Sequence, residues 1–142
     1  MPETNNIEGA KVLLVDDDPM LLRLVSSILE QAGCRVVAVQ SGEEALTEFE
    51  SRISEFSLLV SDIEMPGLNG LDLADRICEL DRNIRVLFIW GFVKPTLEKR
   101  GALRDGFNFL EKPFNPVELL DAVSAALIID GNSNVPAALK GK

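Results

Sequence analysis

Short apolar runs, each bounded by turn residues, alternate along the chain with longer stretches in which apolar residues recur at helical spacing. Short continuous apolar runs are typical of strands buried on both faces of a parallel sheet. The pattern predicts five such strands, at Lys11–Asp16, Cys34–Val39, Ser57–Asp62, Ile84–Trp90 and Phe107–Glu111. Strands that alternate with helices indicate an α/β domain, namely a doubly wound parallel sheet with helices on both faces.

The helix positions follow from capping signals and apolar spacing. A good N-cap residue followed by proline or by an acid at the third helical position predicts three helix starts, at Asp18-Pro19, Ser41-Gly42-Glu43-Glu44 and Asn115-Pro116-Val117-Glu118. A third helix in chain order follows Asn69-Gly70, and a fourth, with a sparse apolar face, is predicted between Pro95 and Asp105. The apolar stripe of the first helix is predicted to comprise Leu21, Leu24, Val25 and Ile28.

The length of 142 residues fits one domain. We expect a flexible N-terminal lead over residues 1–10, the domain over 11–130, and a tail or the start of a linker over 131–142. No apolar run approaches the roughly 20 residues that span a bilayer. Because the first residues are mostly polar and acidic, they do not resemble a secretory signal. A cytoplasmic protein without membrane insertion is therefore expected.

Composition narrows the possible chemistry. A net charge of −9 disfavours direct nucleic-acid binding. The chain has no histidine, so no Ser-His-Asp or Cys-His pair and no imidazole metal site can form. The two cysteines, Cys34 and Cys78, lie far apart in apolar patterns and are expected to be buried reduced thiols. Any nucleophile or base is therefore a carboxylate, lysine, cysteine or hydroxyl.

Charged side chains follow three of the predicted strands. Asp16-Asp17-Asp18 ends the first, Asp62 the third, and Lys112 comes directly after the fifth, before Pro113 in a fixed turn with a candidate cis peptide. In doubly wound sheets these ends meet at one edge, where ligands bind. Carboxylates crowded there suit Mg²⁺ or Mn²⁺. Asp62 is a candidate nucleophile towards phosphorus, and Lys112 is its counter-charge.

A plainer interpretation of the same residues stays open. Asp17 and Asp18 would then cap the first helix, and Lys112 would be a solvated surface charge. For an isolated Asp-Asp pair this interpretation would be preferred. The coincidence of the pair with Asp62 and with Lys112-Pro113, all at strand ends, favours a site.

The motifs make this chain similar to the receiver domain of two-component response regulators over residues 10–130. The resemblance rests on three motifs, Val15-Asp16-Asp17-Asp18, Asp62-x-x-Met65-Pro66-x-x-x-Gly70 and Lys112-Pro113-Phe114. It implies a flavodoxin-like sheet of strand order 2-1-3-4-5. It also implies a phosphorelay signalling domain rather than an enzyme, with only self-directed phosphotransfer and autodephosphorylation.

The resemblance also implies roles for individual residues. Asp62 would accept a phosphoryl group from a histidine kinase or a histidine phosphotransfer protein. Mg²⁺ would be bound by Asp17, by Asp62 and by the backbone carbonyl of Glu64, and Asp16 would act through a bound water. Lys112 would bridge to the phosphoryl group.

The implied output depends on two further positions. Phe109 falls where the family has its switch aromatic, and a downstream protein or output domain would bind the switched face. The family usually carries Thr or Ser at the end of strand four, where this chain has Trp90. An indole has one N–H donor and far more bulk than a hydroxyl. Trp90 would therefore either turn outward or crowd the place that Phe109 would enter, while the Gly91 backbone N–H would still contact the phosphoryl group.

Two alternatives follow from these residues. The first is an interaction module that binds its partner independently of phosphorylation, with the acidic site retained and the switch altered at Trp90. The second is a haloacid-dehalogenase-like phosphatase, with Asp16 as nucleophile and Asp18 as acid. Met20 stands where that second motif usually has Thr or Val, and the chain has no room for a cap domain.

Overall fold

The computed structural model describes residues 7–91 and 108–127, in which it places five strands and four helices. The strands are β1 (Lys11–Val15), β2 (Arg35–Val39), β3 (Leu58–Asp62), β4 (Arg85–Trp90) and β5 (Asn108–Glu111). The helices are α1 (Pro19–Gln31), α2 (Gly42–Ser51), α3 (Gly70–Leu80) and α4 (Pro116–Leu127). Within those two stretches, no helix is both long and apolar enough to cross a membrane.

The sheet has the predicted topology. All four strand pairs are parallel, and the order is β2-β1-β3-β4-β5. The fold class is therefore confirmed, and each strand lies within one residue of its predicted limits. The α4 helix corresponds to the predicted fifth helix, because the helix predicted between Pro95 and Asp105 lies outside the described residues.

Two apolar layers cover the sheet, one on each face, as strand alternation requires. The first layer joins the sheet to α2 and α3, and Leu13, Leu59 and Phe88 are fully buried in it. The second joins the opposite face to α1 and α4, and Leu14 and Leu58 are fully buried there. Because both faces are covered, the sheet is rigid up to the ends of its central strands.

The buried face of α1 differs from the predicted one. Leu24 is 54% exposed, whereas Leu22, Val25 and Leu29 are buried in the second layer. Leu21 and Ile28 of the predicted stripe are half-buried against the same layer, so three of the four predicted residues pack there. The prediction of Leu24 as a core residue is therefore wrong.

Residues 7–10 differ from the flexible lead that the sequence predicted for them. Ile7 is fully buried in the second layer, and the Gly9 N–H donates a hydrogen bond of 2.8 Å to the Gly33 carbonyl. The Cys34 thiol also lies 3.4 Å from the Ile7 carbonyl oxygen. Residues 7–10 are therefore packed on the domain, because one apolar side chain in the lead fills a place in the core. The tail predicted from residue 131 lies outside the described residues, and the C-terminal domain limit stays a prediction.

Side-chain caps set the helix starts as predicted. Ser41 Oγ accepts from the Glu44 N–H at 3.1 Å, and the Glu44 carboxylate accepts in turn from the Gln40 N–H at 3.0 Å. At α4, Asn115 and Glu118 cap each other's backbone N–H groups at 2.8 and 2.9 Å. These pairs satisfy N–H groups that a helix start otherwise leaves free. They therefore fix where α2 and α4 begin.

Candidate functional site

Three acids meet where the strand order reverses. Asp16 directly follows β1, Asp17 is the next residue, and Asp62 ends β3. Ligand oxygens of these carboxylates all lie within 4.8 Å of one another. The structure therefore brings together the acids that the sequence predicted as a cluster, at the carboxyl edge of a parallel sheet.

Asp16 and Asp18 have separate tasks. Asp16 is 2% exposed, and its Oδ1 accepts from the Asp18 N–H at 2.9 Å. The Asp18 side chain accepts instead from the N–H groups of Met20 and Leu21, at 3.0 and 3.5 Å. Asp18 is thus the N-cap of α1, as the plainer interpretation of the sequence proposed for it. Asp16 remains with the acid cluster.

The buried Asp62 carboxylate has two positively polarised neighbours, the Ile63 N–H and the Lys112 ammonium. It is 7% exposed, and its Oδ1 accepts from the Ile63 N–H at 2.9 Å. The same oxygen lies 3.6 Å from the Nζ of Lys112. The Lys112 backbone N–H donates to the Trp90 carbonyl at 2.8 Å, which fixes the start of the turn after β5. The Lys112-Pro113 peptide is cis, as the sequence suggested.

The electrostatics of the cluster favour neutral acids or a bound cation. Burial raises the pKa of Asp62 to about 6, and the charge of Asp16 acts in the same direction. The Lys112 ammonium and the Ile63 N–H oppose this rise in the pKa of Asp62 only in part. Burial also raises the pKa of Asp16. At neutral pH the cluster therefore holds more negative charge than Lys112 offsets.

The donor set fits a hard divalent cation. Three carboxylates offer only oxygen atoms, and Asp17 is exposed enough to leave room for coordinated water. Mg²⁺ and Mn²⁺ prefer such sites, in which a few carboxylates bind and several waters are kept. Asp16, Asp17 and Asp62 are the residues that would hold the ion. The Glu64 side chain is exposed, and the role of its backbone carbonyl stays a prediction.

The predicted switch residues lie on the face of the sheet that the first layer covers. Trp90 and Phe109 are both half-buried against the first layer, and the Phe109 and Phe88 ring centroids are 5.4 Å apart. Trp90 therefore does not turn fully outward. No atom of the described residues lies within 4 Å of a Cβ built on Gly91.

One loop contact near the site was not anticipated. The loop between β3 and α3 contacts the first turn of α2, where Glu43 Oε2 accepts from the Leu68 N–H at 2.9 Å. The sequence analysis assigned the Ser41–Glu44 segment to helix capping alone. An acid that contacts a distant loop leaves no periodic signal in the sequence.

Comparison with known proteins identifies the family. The model of the response regulator receiver domain matches residues 12–124. The response regulator receiver protein CpdR of Brucella abortus (strain 2308) is 32% identical over 118 residues, which cover 83% of this chain and 97% of that protein. Nodulation protein W of Bradyrhizobium diazoefficiens is 36% identical over 117 residues, 82% of this chain, and this chain spans about half of that relative's length (51%).

A solved structure gives the same result. The response regulator receiver protein from Sinorhizobium medicae WSM419 superposes with a TM-score of 0.76 at 32% identity, covering 86% of this chain and 97% of that chain. Neither the acid cluster nor the family match supports the phosphatase alternative, since Asp18 caps α1. The order of the strands, the acids at their ends and the family match agree, and this chain belongs to the receiver domains of two-component response regulators, a family of signalling domains.

Proposed function

We propose that this domain accepts a phosphoryl group on Asp62 from a histidine kinase or a histidine phosphotransfer protein, and passes the signal to a downstream protein or output domain. The observation that supports the proposal most directly is the position of Asp62. It is a buried carboxylate that shares its pocket with two acids and has a lysine 3.6 Å away. Response regulators interact with histidine kinases and with output proteins, which agrees with this assignment.

The transfer would replace a P–N bond by a P–O bond. An Asp62 carboxylate oxygen attacks the phosphorus of phosphohistidine, the P–N bond breaks, and the imidazole leaves and is protonated. Since the pKa of Asp62 is about 6, most of the carboxyl groups are ionised at neutral pH and able to attack. Lys112 lies where its ammonium can pair with a phosphoryl oxygen, which lowers the repulsion between the two anions.

A divalent cation belongs to the proposal. Bound by Asp16, Asp17 and Asp62, Mg²⁺ would offset the carboxylate charge and draw a phosphoryl oxygen to the site. The protein's own contribution is the geometry. Rigid strands β1 and β3 hold the acids in place before any ligand arrives, so little ordering is left for the reaction.

Labelling with a small phosphodonor tests the proposal. Acetyl phosphate with Mg²⁺ is expected to add one phosphoryl group, which intact-mass spectrometry detects, and Asp62→Asn is expected to abolish the addition. Asp121→Asn, which alters an exposed acid on α4, is the matched control and should label normally. Labelling that survives in Asp62→Asn would contradict the assignment of Asp62.

A second candidate function is supported by Trp90. Its indole occupies the place of the usual hydroxyl and packs on the same layer as Phe109. The domain would then bind its partner without regard to phosphorylation. A comparison of amide exchange with and without acetyl phosphate distinguishes the two. Changes confined to the acid cluster favour the second candidate, and changes that extend to Phe109 favour the switch.

A further inference from the structure

The first turn of α2 is in close contact with the loop that joins β3 to α3. Beyond the hydrogen bond between Leu68 and Glu43, a Cβ built on Gly67 would lie 2.6 Å from the same Glu43 oxygen. A Cβ on Gly42 would collide with the Leu68 carbonyl oxygen. Gly67 also has a positive φ of 74°, a conformation that other residues rarely adopt. Glycine at residue 42 therefore leaves room for the Leu68 carbonyl, and glycine at residue 67 suits the positive φ of the loop.

The same loop is tied at its other end to the phosphoacceptor strand. The Gly70 N–H donates to the Ile63 carbonyl at 3.0 Å, and a Cβ on Gly70 would collide with the Asp62 carbonyl oxygen. Glu64 directly follows Ile63 in the loop that this hydrogen bond closes, and its side chain is exposed. The loop that carries Glu64 is thus attached to β3 through Gly70 and to α2 through Leu68.

Glu43 is not needed to cap its own helix. Ser41 and Glu44 already form the cap of α2 with the Glu44 and Gln40 N–H groups. Its carboxylate is directed instead to an N–H in another loop, which gives it a task separate from helix formation. A charge-assisted hydrogen bond of this kind is stronger than a neutral one.

We propose that Glu43 is a positioning residue for the cation site, because it holds Leu68 in the loop that carries Glu64, whose backbone carbonyl would be a ligand of the ion. This inference rests on the proposed function and on the prediction from the sequence that the Glu64 carbonyl is a further ligand of the ion. A loop that is already ordered loses less conformational entropy when the ion binds. Removal of the Glu43 acceptor should therefore weaken the binding of Mg²⁺, although Glu43 does not touch the ion.

Loss of the negative charge of Glu43 is a competing explanation, which the variants must distinguish from loss of positioning. Glu43 is an anion, and its loss would weaken cation binding through space even if the loop did not move. Glu43→Gln removes the charge and keeps an oxygen that can accept from Leu68, whereas Glu43→Ala removes both. The pair thus separates positioning from simple attraction. Glu50→Ala, an exposed acid near the end of α2, controls for the loss of a glutamate from this helix.

The experiment measures Mg²⁺ dissociation constants by calorimetry on the full chain, together with hydrogen exchange of the Leu68 amide in EDTA. We expect Glu43→Ala to raise the dissociation constant about tenfold, the low end of the effect of groups that support metal ligands. Exchange of the Leu68 amide should accelerate in the same variant. Glu43→Gln should stay within about twofold of the wild type, and Glu50→Ala should match it.

Two results would overturn the inference while the proposed function stands. They are wild-type affinity in Glu43→Ala, and equal losses in Glu43→Gln and Glu43→Ala, which would indicate charge alone. A different result would overturn the proposed function together with this inference. It is a wild-type protein that binds no Mg²⁺, or one whose Mg²⁺ affinity is unchanged in Asp62→Asn. Thermal unfolding of each variant shows whether the fold is retained. If Glu43→Ala unfolds, Glu43→Met, which also removes the acceptor but keeps the length of the side chain, carries the test with the same expected loss of affinity.

Discussion

The Nζ of Lys112 lies 3.6 Å from Oδ1 of Asp62, although Asp62 ends β3, Lys112 follows β5, and β4 lies between those two strands. The distance is that of an ion pair without a short hydrogen bond. The Asp62 side chain is 9% exposed and that of Lys112 is 34% exposed, so the lysine is the more accessible member of the pair. The pair thus places an accessible cation next to a buried carboxylate.

Loss of the lysine should slow phosphorylation strongly. Lys112→Ala leaves the incoming phosphoryl group without its counter-charge, and we expect the rate of labelling by acetyl phosphate to fall about a hundredfold, the usual effect of removing one stabilising donor. Mg²⁺ affinity should be unchanged or higher, because a positive charge has been removed from the site. Lys11→Ala, which breaks an ion pair with Glu55 away from the acid cluster, should label at the wild-type rate. An unchanged rate in Lys112→Ala would rule out its role.

The metal-free protein should gain stability when Asp62 loses its charge. The pKa of Asp62 is raised from 3.8 to about 6, so its favourable contribution is full below pH 4 and is lost as pH rises through about 6. Asp62→Asn should therefore raise the unfolding free energy at pH 7 in EDTA by on the order of 2 kcal/mol.

Urea denaturation at pH 7 and at pH 4 tests whether Asp62→Asn raises or lowers the unfolding free energy. The difference between Asp62→Asn and the wild type should be large at pH 7 and small at pH 4, where the wild-type carboxyl is protonated. Asp121→Asn should show no such difference. A variant less stable than the wild type at pH 7 would mean that Asp62 is stabilised as an anion by its neighbours.

Mg²⁺ should stabilise the folded chain. An ion that binds only the folded acid cluster adds about 2.7 kcal/mol at a concentration one hundred times its dissociation constant. The unfolding midpoint should then rise by several degrees, and Asp17→Asn should reduce the rise. Mn²⁺ should act alike. An equal rise in Asp62→Asn would place the ion elsewhere.

Substitution by alanine should destabilise the protein at Gly70 and leave its stability nearly unchanged at Gly91. Gly70→Ala puts a methyl group against the Asp62 carbonyl oxygen, and we expect a loss of at least about 2 kcal/mol of stability with weakened labelling. Gly91→Ala places its methyl group where no described atom lies within 4 Å, so stability should stay within about 0.5 kcal/mol. The N–H of residue 91 remains in this variant, so labelling by acetyl phosphate should be unchanged. Comparable losses in both variants would contradict this account of the packing.

The acids of the site were predictable because each follows a strongly apolar run. Strand ends and parallel topology together determine where Asp16 and Asp62 meet, and neither depends on fine packing. The buried face of α1 was not predictable in this way, since Leu22 and Leu24 are equally apolar and only the neighbouring elements distinguish them. The contact between Glu43 and Leu68 depends on the angle between two helix starts, which no local pattern encodes.

The Ile63 N–H is shared between two acceptors, the Asp62 carboxylate at 2.9 Å and the Ile89 carbonyl of β4 at 3.3 Å. Ile89 directly precedes Trp90, whose indole lies in the other apolar layer. One amide proton thus links the acid to the strand that carries the aromatic residue. A phosphorylated Asp62 would be a poorer acceptor than the free anion, so the amide proton would shift its bonding towards the Ile89 carbonyl of β4. Such a shift would transmit the effect of phosphorylation at Asp62 to β4 through the main chain, without a hydroxyl at residue 90.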